Sequence, residues 1–314
     1  MTVLVTGASG LLGAALVRSF AADAGVEVVA AVRSPARAEA MFEALSNVRI
    51  VQWDVMRPAE LDGYGVDYIV HAAAETGSRA FVERPVEVIR TTVDGVVNVL
   101  DLARARKVRG LVFLSTMEVY GSPTADPVTE LDYGYLDPAS VRSSYPESKR
   151  LAESLCVAHA REYGVPVKIA RLTQTFGEGV RKGDGRVFAQ FAEAVAAKRD
   201  IVLHTQGNTA RCYCYLGDAV EAIRAILFRG QAGEAYNVAN PETYCTIREM
   251  AEMLARRYPP VRVVVDLAGA AGRGYAPEFR MRLSVEKTRA LGWTPKVGLM
   301  EAFERMIAYW RLEP

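Results

Sequence analysis

The chain has 314 residues, half of them apolar and 24% charged, with 38 Lys plus Arg against 37 Asp plus Glu for a net charge of +1. This is the profile of a soluble globular protein about twice the usual length of one domain. It excludes nucleic acid and anionic membrane as main partners, because both call for a concentrated basic surface.

The first expected element is the strand Val3–Val5, which begins too early to leave room for a secretory leader, so a cytoplasmic protein is expected. Thr6-Gly7-Ala8-Ser9-Gly10-Leu11-Leu12-Gly13 follows at once and opens a helix over Leu11–Ala22. A glycine loop between strand and helix suits a dinucleotide. Gly7 permits the tight turn, Gly10 lets backbone approach a pyrophosphate at the helix N-terminus, and Gly13 lets helix and strand pack closely. The second strand, Val26–Val32, ends on Arg33, with Ser34 beside it and Arg37 one helical turn on. An acidic residue there would take the ribose hydroxyls, whereas this local chemistry suits a 2′-phosphate, so NADP is expected over NAD. Asp54 follows the strand Val48–Gln52, where it is either an acceptor for the adenine amino group or a plain loop carboxylate.

Tyr68–Ala72 is the fourth strand, Val86–Ala105 a helix and Leu111–Ser115 the fifth strand, running into Thr116-Met117-Glu118-Val119-Tyr120-Gly121. Tyr145 and Lys149 stand one helical turn apart at the start of a helix over Pro146–Tyr163, on a common face. A free phenol titrates near pH ~10, so a tyrosine base at neutral pH needs its anion favoured by about three units, roughly 4 kcal/mol. The lysine ammonium supplies part of this. The Thr116 hydroxyl, at the end of a parallel strand, lies where it would bond a substrate oxygen beside Tyr145.

Val167–Leu172 completes a βαβ alternation that implies an α/β fold, a doubly wound parallel sheet. Beyond it the elements are shorter and more mixed, with no repeat and no flexible linker. The expected division is a dinucleotide-binding unit over 1–172 and a smaller, interleaved substrate unit over 173–314. The segment 209–230, strand Cys212–Leu216 plus helix Gly217–Arg229, would return to the first unit. Cys156, Cys212, Cys214 and Cys245 read as buried thiols, and with only His71, His159 and His204 to add, no metal site is expected.

Together, the glycine loop, His71-Ala72-Ala73-Ala74, Ser115-Thr116-Met117-Glu118-Val119-Tyr120-Gly121, Tyr145 with Lys149, and Arg171-Leu172-Thr173-Gln174-Thr175-Phe176-Gly177 resemble the extended short-chain dehydrogenase/reductase family. The likeness is to its nucleotide-sugar epimerases and dehydratases, and it continues through Arg211–Asp218, Tyr236–Asn240 and Leu291–Pro295. The resemblance implies a Rossmann-type fold with Thr116, Tyr145, Lys149 and Glu118 as catalytic groups. It implies a cofactor lined by Gly7, Ser9, Gly10, Leu11, Leu12, Gly13, Arg33, Asp54, Val55, Ala72, Ala73, Ala74, Tyr145 and Lys149. Met117, Gln174, Val187, Phe188 and Arg211 would face the nucleotide-diphosphate sugar, Arg211 pairing with its pyrophosphate and Phe188 packing on its base. By their residue types alone, Arg211 is equally a strand-end charge, Gln174 a loop cap and Phe188 core.

Met117 departs from the family, in which dTDP-glucose 4,6-dehydratases carry Asp-Glu at this pair and GDP-mannose dehydratases and UDP-xylose synthases carry Ser-Glu, and a thioether donates no proton. The expected activity is a nucleotide-sugar dehydratase acting through a 4-keto sugar with deprotonation at C5 by Glu118. A 4-epimerase, a UDP-glucuronate decarboxylase-like enzyme and an NADPH-dependent reductase are the alternatives. A non-catalytic dinucleotide-binding regulator would be marked by loss of Tyr145 or Lys149, and both are present. The resemblance also implies a homodimer paired through the helices at 93–105 and 146–163. Their apolar residues Val93, Val96, Val97, Leu100, Leu151, Leu155 and Ala158 would equally suit covering the sheet of one subunit.

Overall fold

The structure, a computed structural model, describes residues 1–268 and 278–312. The chain runs β1 (Thr2–Thr6), α1 (Leu11–Ala21), β2 (Glu27–Val32), α2 (Pro35–Phe42), β3 (Val48–Gln52), β4 (Tyr68–His71), α3 (Ala80–Glu83) and α4 (Pro85–Arg106). It continues through β5 (Gly110–Thr116), α5 (Ser144–Tyr163), β6 (Val167–Leu172), β7 (Gln174–Phe176), α6 (Val187–Ala196), β8 (Ile201–Leu203) and β9 (Ala210–Tyr215). The remainder is α7 (Leu216–Arg229), β10 (Ala235–Val238), β11 (Asn240–Thr246), α8 (Ile247–Arg257), β12 (Val263–Val265), β13 (Arg280–Met281), α9 (Glu286–Arg289) and α10 (Leu299–Leu312).

The apolar runs expected as strands form a seven-stranded sheet in the order β10-β6-β5-β4-β1-β2-β3. Every neighbouring pair in it is parallel. Such a sheet is covered on both faces, which is why β1 and β5 read as continuous apolar runs rather than alternating ones. Residues of α1, α2 and α7 pack on one face, among them Leu16, Phe20, Phe42 and Ile223. Residues of α4 and α5 pack on the other, among them Val96, Leu100, Ala152 and Cys156. Val96 and Leu100 are therefore spent on the chain's own sheet and are not available to a second subunit, whereas Leu151 is half exposed. The strand order reverses between β1 and β4, the switch point at which such sheets bind ligands beyond the strands' carboxyl ends.

The expected return of 209–230 to this sheet is half corrected. Helix α7 does pack against α1, β5 and β6. Its preceding strand does not return: β9 is central to a second sheet, with β11 on one edge and β7 and β13 along the other. The place beside β6 is taken instead by β10. Beyond the second sheet, α6, α8 and α10 close around Phe176, Phe188, Phe303 and Trp310. Asp218 ties the start of α7 to the segment that leads into α10. Its Oδ2 accepts from the Lys296 and Val297 amides, at 2.9 Å each, and its carbonyl accepts from Trp293 Nε1 at 2.9 Å.

Candidate active site

The carboxyl ends of the strands bring the glycine loop, the alanine run and the reactive residues to one edge. After β1, Gly7 adopts φ +64°, a backbone region only glycine enters freely, and a Cβ there would fall 2.7 Å from the Ala73 backbone. A Cβ on Gly13 would fall 2.1 Å from the Gly7 carbonyl oxygen. These two contacts lock loop, α1 and the Ala72–Ala74 run after β4 together, with the Thr6 hydroxyl accepting from the Ala73 amide at 3.2 Å. Helix α1 has Gly10 at its N-cap, no side-chain cap and no acid in its first turn. Its leading N–H groups around Leu11 and Leu12, beside Ser9, thus suit the pyrophosphate of a dinucleotide.

Arg33 and Ser34 are exposed just past β2, and Ser34 opens α2. Asp54 is half-buried past β3, where its Oδ1 accepts from the Met56 amide at 3.1 Å, and Val55 is buried with its carbonyl taken by Asn98 at 2.8 Å. Both lie at the same sheet edge as the loop.

Thr116 ends β5 and its Oγ1 accepts from the Glu118 amide at 3.3 Å, opening a single 3-10 turn over Met117–Tyr120. Tyr145 and Lys149 lie on the first turns of α5, both buried. The ring of Tyr145 stacks on Phe81 of α3, centroids 4.3 Å apart and planes 6° off parallel. Lys149 Nζ donates to the Leu114 carbonyl at 2.8 Å and stands 5.9 Å from the centre of the Tyr145 ring. Helix α5 is pinned by Glu153, one turn beyond Lys149. Its carboxylate takes the Ser115 hydroxyl of β5 and the buried guanidinium of Arg171 on β6, the latter at 2.7 Å. Arg171 also donates to the Tyr120 hydroxyl at 3.0 Å, so the turn bearing Glu118 is held by the same cluster.

The electrostatics follow from burial. The Tyr145 phenol is pushed well above its ordinary range, first by desolvation and then by the Glu118 carboxylate, while the Thr116 hydroxyl and Arg142 pull it back. Desolvation lowers the Lys149 ammonium to about 8. His71, last residue of β4, is pushed down to about 3 by burial and then by Lys149. Its Nδ1 bonds the Thr6 hydroxyl at 2.7 Å, and its Nε2 is buried with no partner.

Met117 is buried with its sulfur 3.3 Å from the Thr173 hydroxyl, which donates to the Cys212 carbonyl at 2.5 Å, so it is a packing group beside Thr116. Gln174 on β7 pairs in register with Tyr213, and Arg211 lies two residues before it on β9, so all three share one face of the second sheet. Arg211 Nε and the Tyr213 hydroxyl are buried without hydrogen-bond partners, and the Arg211 guanidinium stands 4.7 Å from the Phe279 ring. An unpaired buried guanidinium nitrogen is a group that an anion would satisfy. Val187 is half-buried at the start of α6. Phe188 is corrected: it is wholly enclosed and stacks on Phe176 at 4.6 Å, leaving no surface for a base. The hydrophobic drive that puts most phenylalanines inside decided this one.

Three neighbours of the site went unread in the sequence: Phe81, Arg142 and Tyr213. Arg142 had a faint signal, a cation just before Tyr145. Among the described residues no cluster of His, Cys, Asp and Glu could hold a metal ion, and no helix is long and apolar enough to cross a membrane.

A profile of the NAD dependent epimerase/dehydratase family matches residues 3–239. UDP-glucuronic acid decarboxylase 6 of Arabidopsis thaliana is 31% identical over 99% of this chain and 89% of its own. UDP-glucuronic acid decarboxylase 3 of the same plant is 30% identical over 99% and 90%. Among solved structures, UDP-glucose 4-epimerase of Thermotoga maritima superposes with a TM-score of 0.87 at 22% identity, covering 99% of each chain. A dTDP-glucose 4,6-dehydratase of Streptomyces venezuelae, solved with NAD bound, superposes with a TM-score of 0.82 at 26% identity over 100% and 98%. The chain belongs to the NAD dependent epimerase/dehydratase family and is an enzyme.

Proposed function

We propose that this member of the family oxidises a nucleotide-diphosphate sugar at C4, acts at C5 of the resulting ketone, and then reduces C4 again. Among reactions of that kind, decarboxylation of a sugar that carries a carboxylate on C5, a UDP-glucuronate-like substrate, fits best. When bound, the nicotinamide supplies a reversible hydride acceptor. Tyr145 takes the proton of the C4 hydroxyl as the hydride leaves C4, with Thr116 orienting the oxygen and Lys149 adding positive charge. The carboxylate is then β to a ketone. Its C5–C6 bond breaks to release carbon dioxide, and the electron pair enters the C4–C5 enolate. A proton added at C5 and a hydride returned to C4, with the Tyr145 proton restored to its oxygen, complete the sequence.

The observation that carries this reading is Met117. It is buried beside Thr173 at the position where dTDP-glucose 4,6-dehydratases carry an acid. Dehydration requires a proton on the leaving hydroxyl, whereas carbon dioxide leaves without one. The 30–31% identical decarboxylases support the same choice. Dehydration is the second reading, favoured by Glu118, which faces the site half-exposed and ion-paired to Arg142.

Residues 1–172 would hold the cofactor and 173–314 the sugar nucleotide, with Arg211 and Gln174 meeting the diphosphate. We further propose NADP over NAD on the strength of Arg33, a homodimer formed by α4 and α5, and a cytoplasmic setting, which suits four free thiols. The deciding measurement is mass spectrometry of the protein incubated with each dinucleotide and with UDP-glucuronate, UDP-glucose or dTDP-glucose. Loss of carbon dioxide from the uronate supports the first reading. Loss of water from a neutral sugar, with the uronate recovered intact, replaces it with the second, and C4 inversion without mass change overturns both.

A further inference from the structure

Two short 3-10 turns meet beside Tyr145, Met117–Tyr120 carrying Glu118 and Val141–Ser143 carrying Arg142. Arg142 donates from one terminal nitrogen to Glu118 Oε2 at 2.9 Å. Its guanidinium carbon lies 4.7 Å from the centre of the Phe81 ring, the ring that also stacks on Tyr145. The Ser144 hydroxyl donates to the Phe81 carbonyl at 2.9 Å, so the residue just before Tyr145 fixes the shared wall. Arg142, Phe81, Tyr145 and Glu118 thus form one contiguous set drawn from three separate stretches of chain.

The proposed chemistry sets these groups against one another. Tyr145 must pass through its anion to work at C4, the charge of the Glu118 carboxylate reaches the phenol, and two like charges in one partly dry site oppose each other. Lys149 is an incomplete remedy, because burial lowers its ammonium to about 8. An arginine keeps its charge at any working pH.

We propose that Arg142 is the shared counter-cation of the two bases: a positioning residue that holds the Glu118 carboxylate on its turn and cancels its field at the Tyr145 oxygen. The inference rests on the reading of Tyr145 as the C4 base. The direction of each influence on the phenol agrees, Glu118 raising it and Arg142 lowering it. The other groups facing Tyr145 are Thr116 from β5 and Lys149 from its own helix. The remaining charges on the surrounding elements are engaged elsewhere. Arg150 donates to the Val119 carbonyl and lies 3.6 Å from Glu147, and Glu83 of α3 pairs with Arg79.

The test is the pH dependence of the first half-reaction in dinucleotide-loaded protein mixed with UDP-glucuronate, followed by the absorbance of the reduced nicotinamide. Arg142→Gln should move the half-maximal pH upward by about half to one unit, and Glu118→Gln should move it downward. The double variant should return close to the parent, and Arg142→Lys should restore most of the position. A merely structural role for Arg142 would lower rates without shifts of opposite sign. An unmoved midpoint in Arg142→Gln, or a shift in the same direction as Glu118→Gln, overturns the proposal. If no sugar nucleotide is oxidised, it is the functional reading that has failed. The same five proteins are then titrated for the Tyr145 phenolate by ultraviolet difference against their Tyr145→Phe partners, and the midpoints must fall in the same order or the counter-cation role is wrong.

Discussion

In the proposed reaction Tyr145 acts as a base from a pocket that opposes it, since burial and Glu118 both disfavour its anion. What pulls the other way is the Thr116 hydroxyl and Arg142, to which a bound oxidised nicotinamide adds positive charge. Tyr145→Phe removes the proton acceptor and leaves the stack on Phe81 nearly unchanged, so turnover should fall by about two to four orders of magnitude while dinucleotide binding persists. Single-turnover kinetics beside a binding titration checks both halves. Arg33 belongs to the same scale. Exposed past β2, it should confer a preference for NADP of about tenfold, and Arg33→Asp should reverse it in parallel binding titrations. His71 yields a pH prediction. Its pKa is depressed to about 3 in the fold, so the folded protein refuses a proton that the unfolded chain accepts near pH ~6.5. The stability associated with neutral His71 is therefore full above that pH and is lost as pH falls toward 3. Between about pH 7 and about pH 5 the loss should be about 2 kcal/mol. Denaturant melts of the parent and of His71→Asn at both values should differ in pH slope by that amount, and equal slopes would show that His71 is not the group responsible.

The loop from β1 into α1 is the element proposed to hold the cofactor, and its glycines have different jobs. Gly7 needs its positive φ, whereas Gly13 needs only the absence of a Cβ, which would meet the Gly7 carbonyl at 2.1 Å. Gly13→Ala must therefore push α1 away from the loop, at a cost of about 1–3 kcal/mol, and dislodge the N–H groups that would face a pyrophosphate. A lowered melting temperature together with weakened dinucleotide binding is the expected result. A variant that binds normally would mean the helix can shift without moving its N-terminus.

At the scale of the whole molecule, α4 and α5 each carry exposed apolar side chains. Val86 and Ile89 of α4 and Leu151 of α5 stand 68%, 41% and 51% exposed. A second copy of the chain related by a two-fold axis would cover them with its own. Leu151→Glu places a charge in that contact and touches neither the sheet nor the site. It should give a monomer in solution scattering where the parent scatters as a dimer, with thermal stability reduced and the fold retained. A parent that scatters as a monomer at every concentration removes the dimer.

Much of this was legible in the linear order of residues, because it depends on neighbours along the chain. The glycine spacing, the apolar runs that became β1 to β6, and Tyr145 one turn before Lys149 are local patterns, and the parallel sheet carried all of them to the same edge. The family was readable for the same reason. What the order of residues left open are contacts between segments far apart in the chain, which packing alone selects. Phe188 had the composition of either a base platform or a core residue, and its stack on Phe176 put it inside. The strand at 210–215 had the look of a central-sheet strand, yet β10 filled that place and left it to organise a second sheet. Phe81 meets Tyr145, and Arg142 meets Glu118, across loops whose length and composition carry no signal of the encounter. Local spacing determined which residues could do chemistry in this protein. Only the tertiary structure decided which charges stand beside them, because electrostatic influence follows distance in space and is blind to distance along the chain.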